Sequence, residues 1–379
     1  MKKFFSFLMC VSAIACIVSC NKNNAPVVNP AEQGHGILVV RIGFDDESTK
    51  AALGDMKDRQ INSAQIFVFN GTNGEARLET DLYKEGLAAD GQTSMTLNTL
   101  TGNKIVYALV NHSRLSLPVG SEGQKLSEFE GTLTDLSEEN YQNLVMSGKN
   151  TKTITDVNNY GSVGASQTMD IYVKRLASLI QLDKITVDFN GSSLEGASFN
   201  IDEIYLKNVV GKSPIGVDGM TGSAGSAVKP LVLSDAQLDI NTNWYNKMTK
   251  VAGAPACLDD VYSVACNVEG SGNTINRVLF TYPNSVSGDS NSETWSPRHT
   301  RLVIKATVRK DAISLNKPTY YVLDLPVLAA NTKYEIQNVK ISQLGKDDDS
   351  NDDNIDVGKV LPAIIVDPWF GTALINYEF

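Results

Sequence analysis

Five cysteines, three histidines and a dense set of acidic side chains are the groups in this 379-residue chain with the means to do chemistry. Cys20 has the most specific setting. Lys2 and Lys3 precede an apolar run from Phe4 to Val18, which is too short to span a bilayer and suits the core of a signal peptide. The run ends in Ile17-Val18-Ser19-Cys20, a small residue followed by a thiol. That order fits cleavage between Ser19 and Cys20, thioether lipidation of Cys20 and acylation of the new amino terminus, because stable anchoring needs more than one chain. Cys10 and Cys16 would leave with the signal. Cys257 and Cys266 stay in the folded part, where they can close a hairpin-like disulfide loop in an oxidising compartment or serve as two small buried hydrophobes. Spacing does not choose between these.

The remaining candidates form no reactive set. His35, His112 and His299 lie far apart and lack metal-ligand spacing. Asp347, Asp348, Asp349, Asp352 and Asp353 crowd one acidic stretch, but the alternating ligands, glycine and closing glutamate of a calcium loop are missing, so the stretch reads as a solvated loop. No nucleophile elbow, phosphate loop or dinucleotide fingerprint occurs. Asp and Glu are numerous enough to supply a glycosidase-like pair, yet nothing selects one pair, and Trp244, Trp295 and Trp369 read as packing rather than a sugar platform. The expectation is a non-enzyme with no cofactor and no metal. The net charge of −10 argues against a nucleic-acid partner.

The elements expected to carry these residues are strands. Short runs rich in Val, Ile, Tyr, Phe and Thr alternate with Gly, Asn, Asp, Ser and Pro clusters. Candidates are Ile37 to Phe44, Ser63 to Phe69, Ser94 to Leu97, Lys104 to Val110, Thr168 to Val173, Leu179 to Phe189 and Ile201 to Val209. Arg277 to Tyr282, Arg301 to Val308, Thr319 to Leu325, Lys333 to Ile341 and Ala363 to Val366 follow. Without alternating helices, they predict an all-β chain of antiparallel sandwiches. Asn70-Gly71 is a turn signal. One helix is expected, from Leu126 to Met146, with Ser127 as its cap. About 350 residues beyond the signal suggest two domains. Residues 1–20 read as a lipoprotein signal, 21–35 as a tether, 36–173 as one sandwich domain and 174–379 as a second. In the first strand, Leu38, Val40 and Ile42 share one face and Ile37, Val39 and Arg41 the other.

Several of these segments, in order along the chain, resemble the FimA-like fimbrillins of Bacteroidia, the subunits of type V pili. They are the lipobox at Cys20, the run Gly36-Ile37-Leu38-Val39-Val40, the stretch to Lys50-Ala51, and Ala64-Gln65-Ile66-Phe67-Val68-Phe69-Asn70-Gly71. Val173-Lys174-Arg175-Leu176-Ala177 looks like the family's domain junction, Asn331-Thr332-Lys333-Tyr334-Glu335-Ile336 like its N-x-x-Y-x-I strand, and Val366-Asp367-Pro368-Trp369 like its terminal motif. The resemblance implies two transthyretin-like β-sandwich domains in tandem and an outer-membrane lipoprotein precursor that becomes part of an extracellular fimbrium. It further implies a trypsin-like protease that cuts in the loop after the first strand.

Here Lys50, followed by Ala51, stands where the family usually has arginine; the other reading of Lys50 is an ordinary surface lysine, and Lys57 and Arg59 are alternative cut sites. The departing strand, residues 36–44 with Ile37, Leu38, Val39, Val40 and Ile42, would leave a groove for another subunit's strand. The expected donor is 360–379, with Ile364, Val366, Trp369, Leu374, Ile375 and Tyr377; alternatively these residues complete their own sheet. The implied partners are other copies or other fimbrial subunits, the outer membrane through the lipid, the protease, and host or bacterial surface ligands. The competing readings are a tip or accessory pilin, a membrane-anchored adhesin that does not polymerise, and a surface protein that binds or cleaves glycans.

Overall fold

A computed structural model describes residues 34–44, 59–139, 143–155, 167–220, 229–232, 244–247, 264–266, 273–286, 299–310, 315–349, 365–368 and 376–378. The first half contributes β1 (His35–Gly43), β2 (Gln60–Asn70), β3 (Arg77–Asp90), β4 (Gln92–Leu100), β5 (Gly102–Val110), α1 (Leu126–Glu130), β6 (Leu133–Asp135), β7 (Met146–Ile154), β8 (Thr168–Tyr172) and β9 (Lys174–Arg175). They form a three-stranded sheet in the order β4-β1-β8 and a five-stranded sheet in the order β3-β2-β5-β7-β9. Period-two alternation gives β1 and β4 one buried apolar face, whereas the continuous apolar runs of β2 and β5 bury both faces of the five-stranded sheet. The facing sides of the two sheets meet in a core built from Leu38, Val40, Ile42, Ile66, Val68, Met95, Val106, Ala108 and Ile171, among others.

The second half follows with β10 (Ser178–Val187), β11 (Ser198–Val210), β12 (Lys212–Pro214), β13 (Val217–Asp218), β14 (Lys229–Pro230), β15 (Trp244–Lys247), β16 (Val264–Cys266), β17 (Asn273–Thr281), β18 (Arg301–Lys310), β19 (Leu315–Asp324), β20 (Thr332–Ile336), β21 (Asn338–Ile341), β22 (Ile365–Pro368) and β23 (Asn376–Glu378). β10 is the spine of one sheet, with β17 along one edge and β20 then β21 along the other. β11, β18 and β19 form the second sheet, which β15 and β16 extend. Ile180, Leu182, Ile204, Leu206, Leu302, Ile304 and Ile336 belong to the core built around these sheets. This core is continuous with the far face of the five-stranded sheet, where Phe67, Phe69 and Tyr107 surround Phe129 at centroid distances of 4.7, 5.2 and 5.1 Å.

The chain is therefore a mostly β fold of several stacked sheets. Most ladders are antiparallel, as expected, but β1/β8, β10/β20, β10/β21 and β21/β23 are parallel. Long connections rather than hairpins bring those strands together, and only such connections can deliver a parallel neighbour. The predicted helix from Leu126 to Met146 is a correction: it runs only to Glu130. Gly131 ends it, Leu133–Asp135 pairs as a strand with Lys212–Pro214, and Met146 already belongs to β7. Ser127 does not cap it either, since Lys125 occupies that position without a side-chain bond.

Candidate functional site

The sequence directs attention to β1, and its placement in the sheet is what gives it functional interest. β1 is the central strand of its sheet. It pairs antiparallel with β4 from His35↔Leu100 to Gly43↔Gln92, and parallel with β8 from Val39↔Thr168 to Gly43↔Tyr172. Leu38, Val40 and Ile42 are fully buried, and Phe44 continues their row one step beyond the strand. Ile37 and Val39 are half-buried, and Arg41 is exposed and faces out. Arg41 sits opposite Asp170 in the parallel register, and its Nε and Nη2 donate to Asp170 Oδ1 and Oδ2 at 2.6 and 2.7 Å. The carboxylate holds the guanidinium pKa above its usual value, first by hydrogen bonding and then by charge. At the strand's beginning, Gly36 lies so close to β7 that a Cβ there would sit 2.3 Å from Ile154 Cγ2.

Four buried apolar side chains at about 1.5–3 kcal/mol each correspond to roughly 6–12 kcal/mol of burial before ordering costs. The backbone edges of β4 and β8 that β1 covers are a template for strand addition once uncovered. In this slot, an incoming strand needs apolar residues at every second position, small bulk where Gly36 now sits, and tolerance for charge on its outer face.

The far end of β1 is fastened by residues the sequence reading did not assign to the groove. Val173 N–H donates to Gly43 O at 2.9 Å. The Phe44 ring lies between two guanidinium groups, Arg59 at 5.3 Å and Arg175 at 5.0 Å from its centroid. Arg175 is almost wholly buried. Its backbone N–H and Nη1 both donate to Asn331 Oδ1, at 3.2 and 3.4 Å. Asn331 has φ of +53°, a left-handed backbone that Asn tolerates better than most residues, and its N–H donates to Ala177 O at 3.0 Å. Tyr334, two residues into β20, donates its hydroxyl to Val327 O and accepts from the Ala329 N–H. The junction motif around Arg175 and the Asn331…Tyr334 motif therefore meet each other and the end of β1. Their sequence spacing gave no hint of that, because the contact joins positions more than 150 residues apart.

Residues 360–379 are described in two places. β22 lies antiparallel on the outer edge of β20, with Val366 opposite Tyr334, and β23 lies parallel on β21, with Tyr377 opposite Val339. Both are short edge strands of four and three residues, against nine in β1. Ile364, Trp369, Leu374 and Ile375 lie outside the described residues, as do Ser19, Cys20, Lys50, Ala51, Lys57 and Cys257. Cys266 ends β16, opposite Phe199. Arg59 opens the step into β2, and its carbonyl accepts from the Gly91 N–H. Among the described residues no group of three or more His, Cys, Asp or Glu is placed to hold a metal ion. His299 contacts Asp324 at 2.8 Å, and although burial opposes it, bonding to His299 and Arg301 holds the Asp324 carboxyl down at about 2.

Residues 38–182, which run from within β1 to the middle of β10, match the family model for "Major fimbrial subunit protein (FimA)". A curated relative from Parabacteroides distasonis, described as "Putative fimbrium tip subunit Fim1C", is 27% identical over 225 residues, covering 55% of this chain and 57% of that protein. The match thus spans little more than half of the relative's length. Among solved structures, a fimbrilin (FimA) of Porphyromonas gingivalis superposes with a TM-score of 0.51 at 15% identity, over 82% of this chain and 91% of the other. A "putative cell adhesion protein" of Bacteroides eggerthii gives 0.55 at 14%, over 91% and 98%. At those identities the structural matches speak to the fold alone.

Proposed function

We propose that this chain, whose residues 38–182 match the FimA family model, is a structural subunit of a cell-surface fimbria that polymerises by strand exchange after proteolysis. The observation that carries the reading is the central position of β1, with four alternate side chains buried between two sheets. In this reading, the lipid on Cys20 delivers the precursor to the outer membrane. A trypsin-like protease then cuts after Lys50, six residues beyond Phe44, and the released β1 leaves a slot flanked by β4 and β8.

Residues 360–379 of a second copy supply the replacement. Ala373, Ile375, Tyr377 and Phe379 repeat at every second position and end on an aromatic, like Leu38, Val40, Ile42 and Phe44. Asn376 and Glu378 fall between them, matching the polar outer face that Arg41 occupies in β1. Leaving β20 and β21 requires breaking only short edge ladders, whereas entering the slot gains two neighbours. The exchange replaces like with like and needs neither a catalytic group nor a cofactor. Two transthyretin-like sandwiches divided near Lys174 complete the picture, together with export to an extracellular fimbrium and adhesion to surface ligands.

Amino-terminal sequencing of surface-extracted fimbriae should find Ala51 at the start of the mature subunit. Protein cut after Lys50 should form fibres on mixing; cut protein that stays monomeric at every concentration would overturn the reading. A second reading, a tip subunit, is favoured by the description of the curated relative. Deleting 360–379 separates the two. A stalk subunit then folds but forms no fibre, and a tip subunit still caps fibres built by others.

A further inference from the structure

The five-stranded sheet holds a set of reactive groups that strand exchange does not use. Asn70, the last residue of β2, and Lys104, near the start of β5, are directly opposed in the antiparallel register. The Lys104 side chain has no solvent exposure, and its Nζ donates to Glu79 Oε2 at 2.5 Å and to Asn70 Oδ1 at 3.0 Å. The other oxygen of Glu79 accepts from Thr99 Oγ1 and from the Leu100 N–H, both at 2.7 Å. The carboxylate is thereby fixed from β4 while it faces an amine from β5, and a carboxamide from β2 shares the same ammonium. Asn70 itself is exposed, so the site opens to water on the side where a small product would leave.

A wholly buried lysine ion pair is an expensive way to fill a sandwich, and apolar residues of similar size usually do as well or better. The same three groups are the reagents for amide transfer, held as neighbours at high effective concentration. The geometry points to an intramolecular isopeptide bond between Lys104 and Asn70, formed with Glu79 as the proton carrier. Glu79 takes a proton from the Lys104 ammonium, and the freed amine lone pair attacks Asn70 Cγ, forming the Nζ–Cγ bond. The tetrahedral centre collapses with cleavage of Cγ–Nδ2. Proton transfer through Glu79 lets Nδ2 depart as ammonia, which leaves as ammonium with the remaining proton, and Glu79 returns to carboxylate. The net change is one ammonium and one carboxamide converted to a secondary amide and an ammonium ion, with no oxidant or cofactor.

The competing chemistry at Asn70-Gly71 is attack by the Gly71 nitrogen to give a succinimide. That nitrogen is engaged in donating to Asn103 O at 3.1 Å. The cross-link would tie together β2 and β5, the strands that form the wall facing β1, and would hold that wall whether or not β1 is present.

Intact mass measurement of the purified, denatured chain is expected to fall one ammonia below the sequence mass. A tryptic map should then show a branched peptide joining the Asn70 and Lys104 segments, with no cleavage after Lys104. Glu79→Gln should keep the full mass and the β-sheet circular dichroism spectrum. A succinimide also loses ammonia, so Lys104→Arg is the second arm: its mass should return to the sequence value. Wild-type protein that trypsin cuts after Lys104, or a deficit that survives Lys104→Arg, would overturn the proposal. Neither readout depends on whether the chain assembles, so failure here leaves the strand-exchange reading standing.

Discussion

Truncating β1 on its two faces tests whether this strand is held by its inner row. Leu38 and Ile42 are both fully buried between the sheets, and Leu→Ala or Ile→Ala at such sites costs about 2–5 kcal/mol. The two positions are about 13 Å apart along the strand at ~3.3 Å per residue, far enough for their effects to add. The double substitution should therefore remove about 4–10 kcal/mol, comparable to the roughly 5–15 kcal/mol stability of a whole domain. Arg41→Ala removes an exposed ion pair on the opposite face and should leave the urea midpoint unchanged. Urea unfolding with a constant m-value separates these outcomes. In protein cut between β1 and β2, the same losses appear as faster departure of the strand, about tenfold for each 1.4 kcal/mol. Leu38→Ala at ~3 kcal/mol should thus release the cut strand about 100-fold faster, as followed by exchange against a labelled peptide of residues 35–44. If Leu38→Ala and Ile42→Ala are as mild as Arg41→Ala, or if release is unaffected, the inner row does not hold the strand and the groove argument fails.

Three further outcomes follow from neighbouring contacts. Gly36→Ala should destabilise by about 1–3 kcal/mol in thermal melts, because its new Cβ would meet the buried Ile154 side chain at 2.3 Å. Asn331→Ala should cost about 1–2 kcal/mol more than Asn331→Gly, since both lose the bonds from Arg175 but only alanine resists a φ of +53°; equal losses would mean that the backbone there is unstrained. Glu139 is fully buried, accepts from the Tyr282 hydroxyl and the Val145 N–H, and burial pushes its pKa up to about 8. The native state therefore keeps a proton that the unfolded chain releases near pH 4.5, so this contribution is complete below that pH and is lost as pH rises through about 8. Melting temperature should fall between pH 5 and pH 8, and Glu139→Gln should flatten the slope.

What the sequence made legible is what local periodicity can carry. The alternation in Ile37 to Phe44 identified both the strand and the face that Leu38, Val40 and Ile42 bury, and the β-branched runs located most of β10, β11 and β18. β3 was missed because, as an edge strand with two register shifts against β2, it keeps only Leu78 buried among half-exposed and exposed neighbours, so no apolar row shows. β7 was missed because Lys149, Asn150 and Lys152 read as polar. The helix was overextended because Leu, Tyr and Met recur at helical spacing on both sides of Gly131, and the pairing of β6 with β12 draws on residues about eighty positions away.

The same limit applies with more force to the site. Leu38 could be assigned to a groove from its neighbours in sequence, but Arg175 could not be assigned to Phe44, nor Glu79 to Lys104. Those pairings exist only once the strand register is fixed, and a register shift of one residue would turn every one of these side chains to the opposite face. Register is also what links the two proposals: the ladder that places Val68 and Val106 in the wall behind β1 places Asn70 against Lys104 two residues on. A variant that slips β2 against β5 should therefore lose the cross-link and the slot together, whereas Glu79→Gln should lose the cross-link alone.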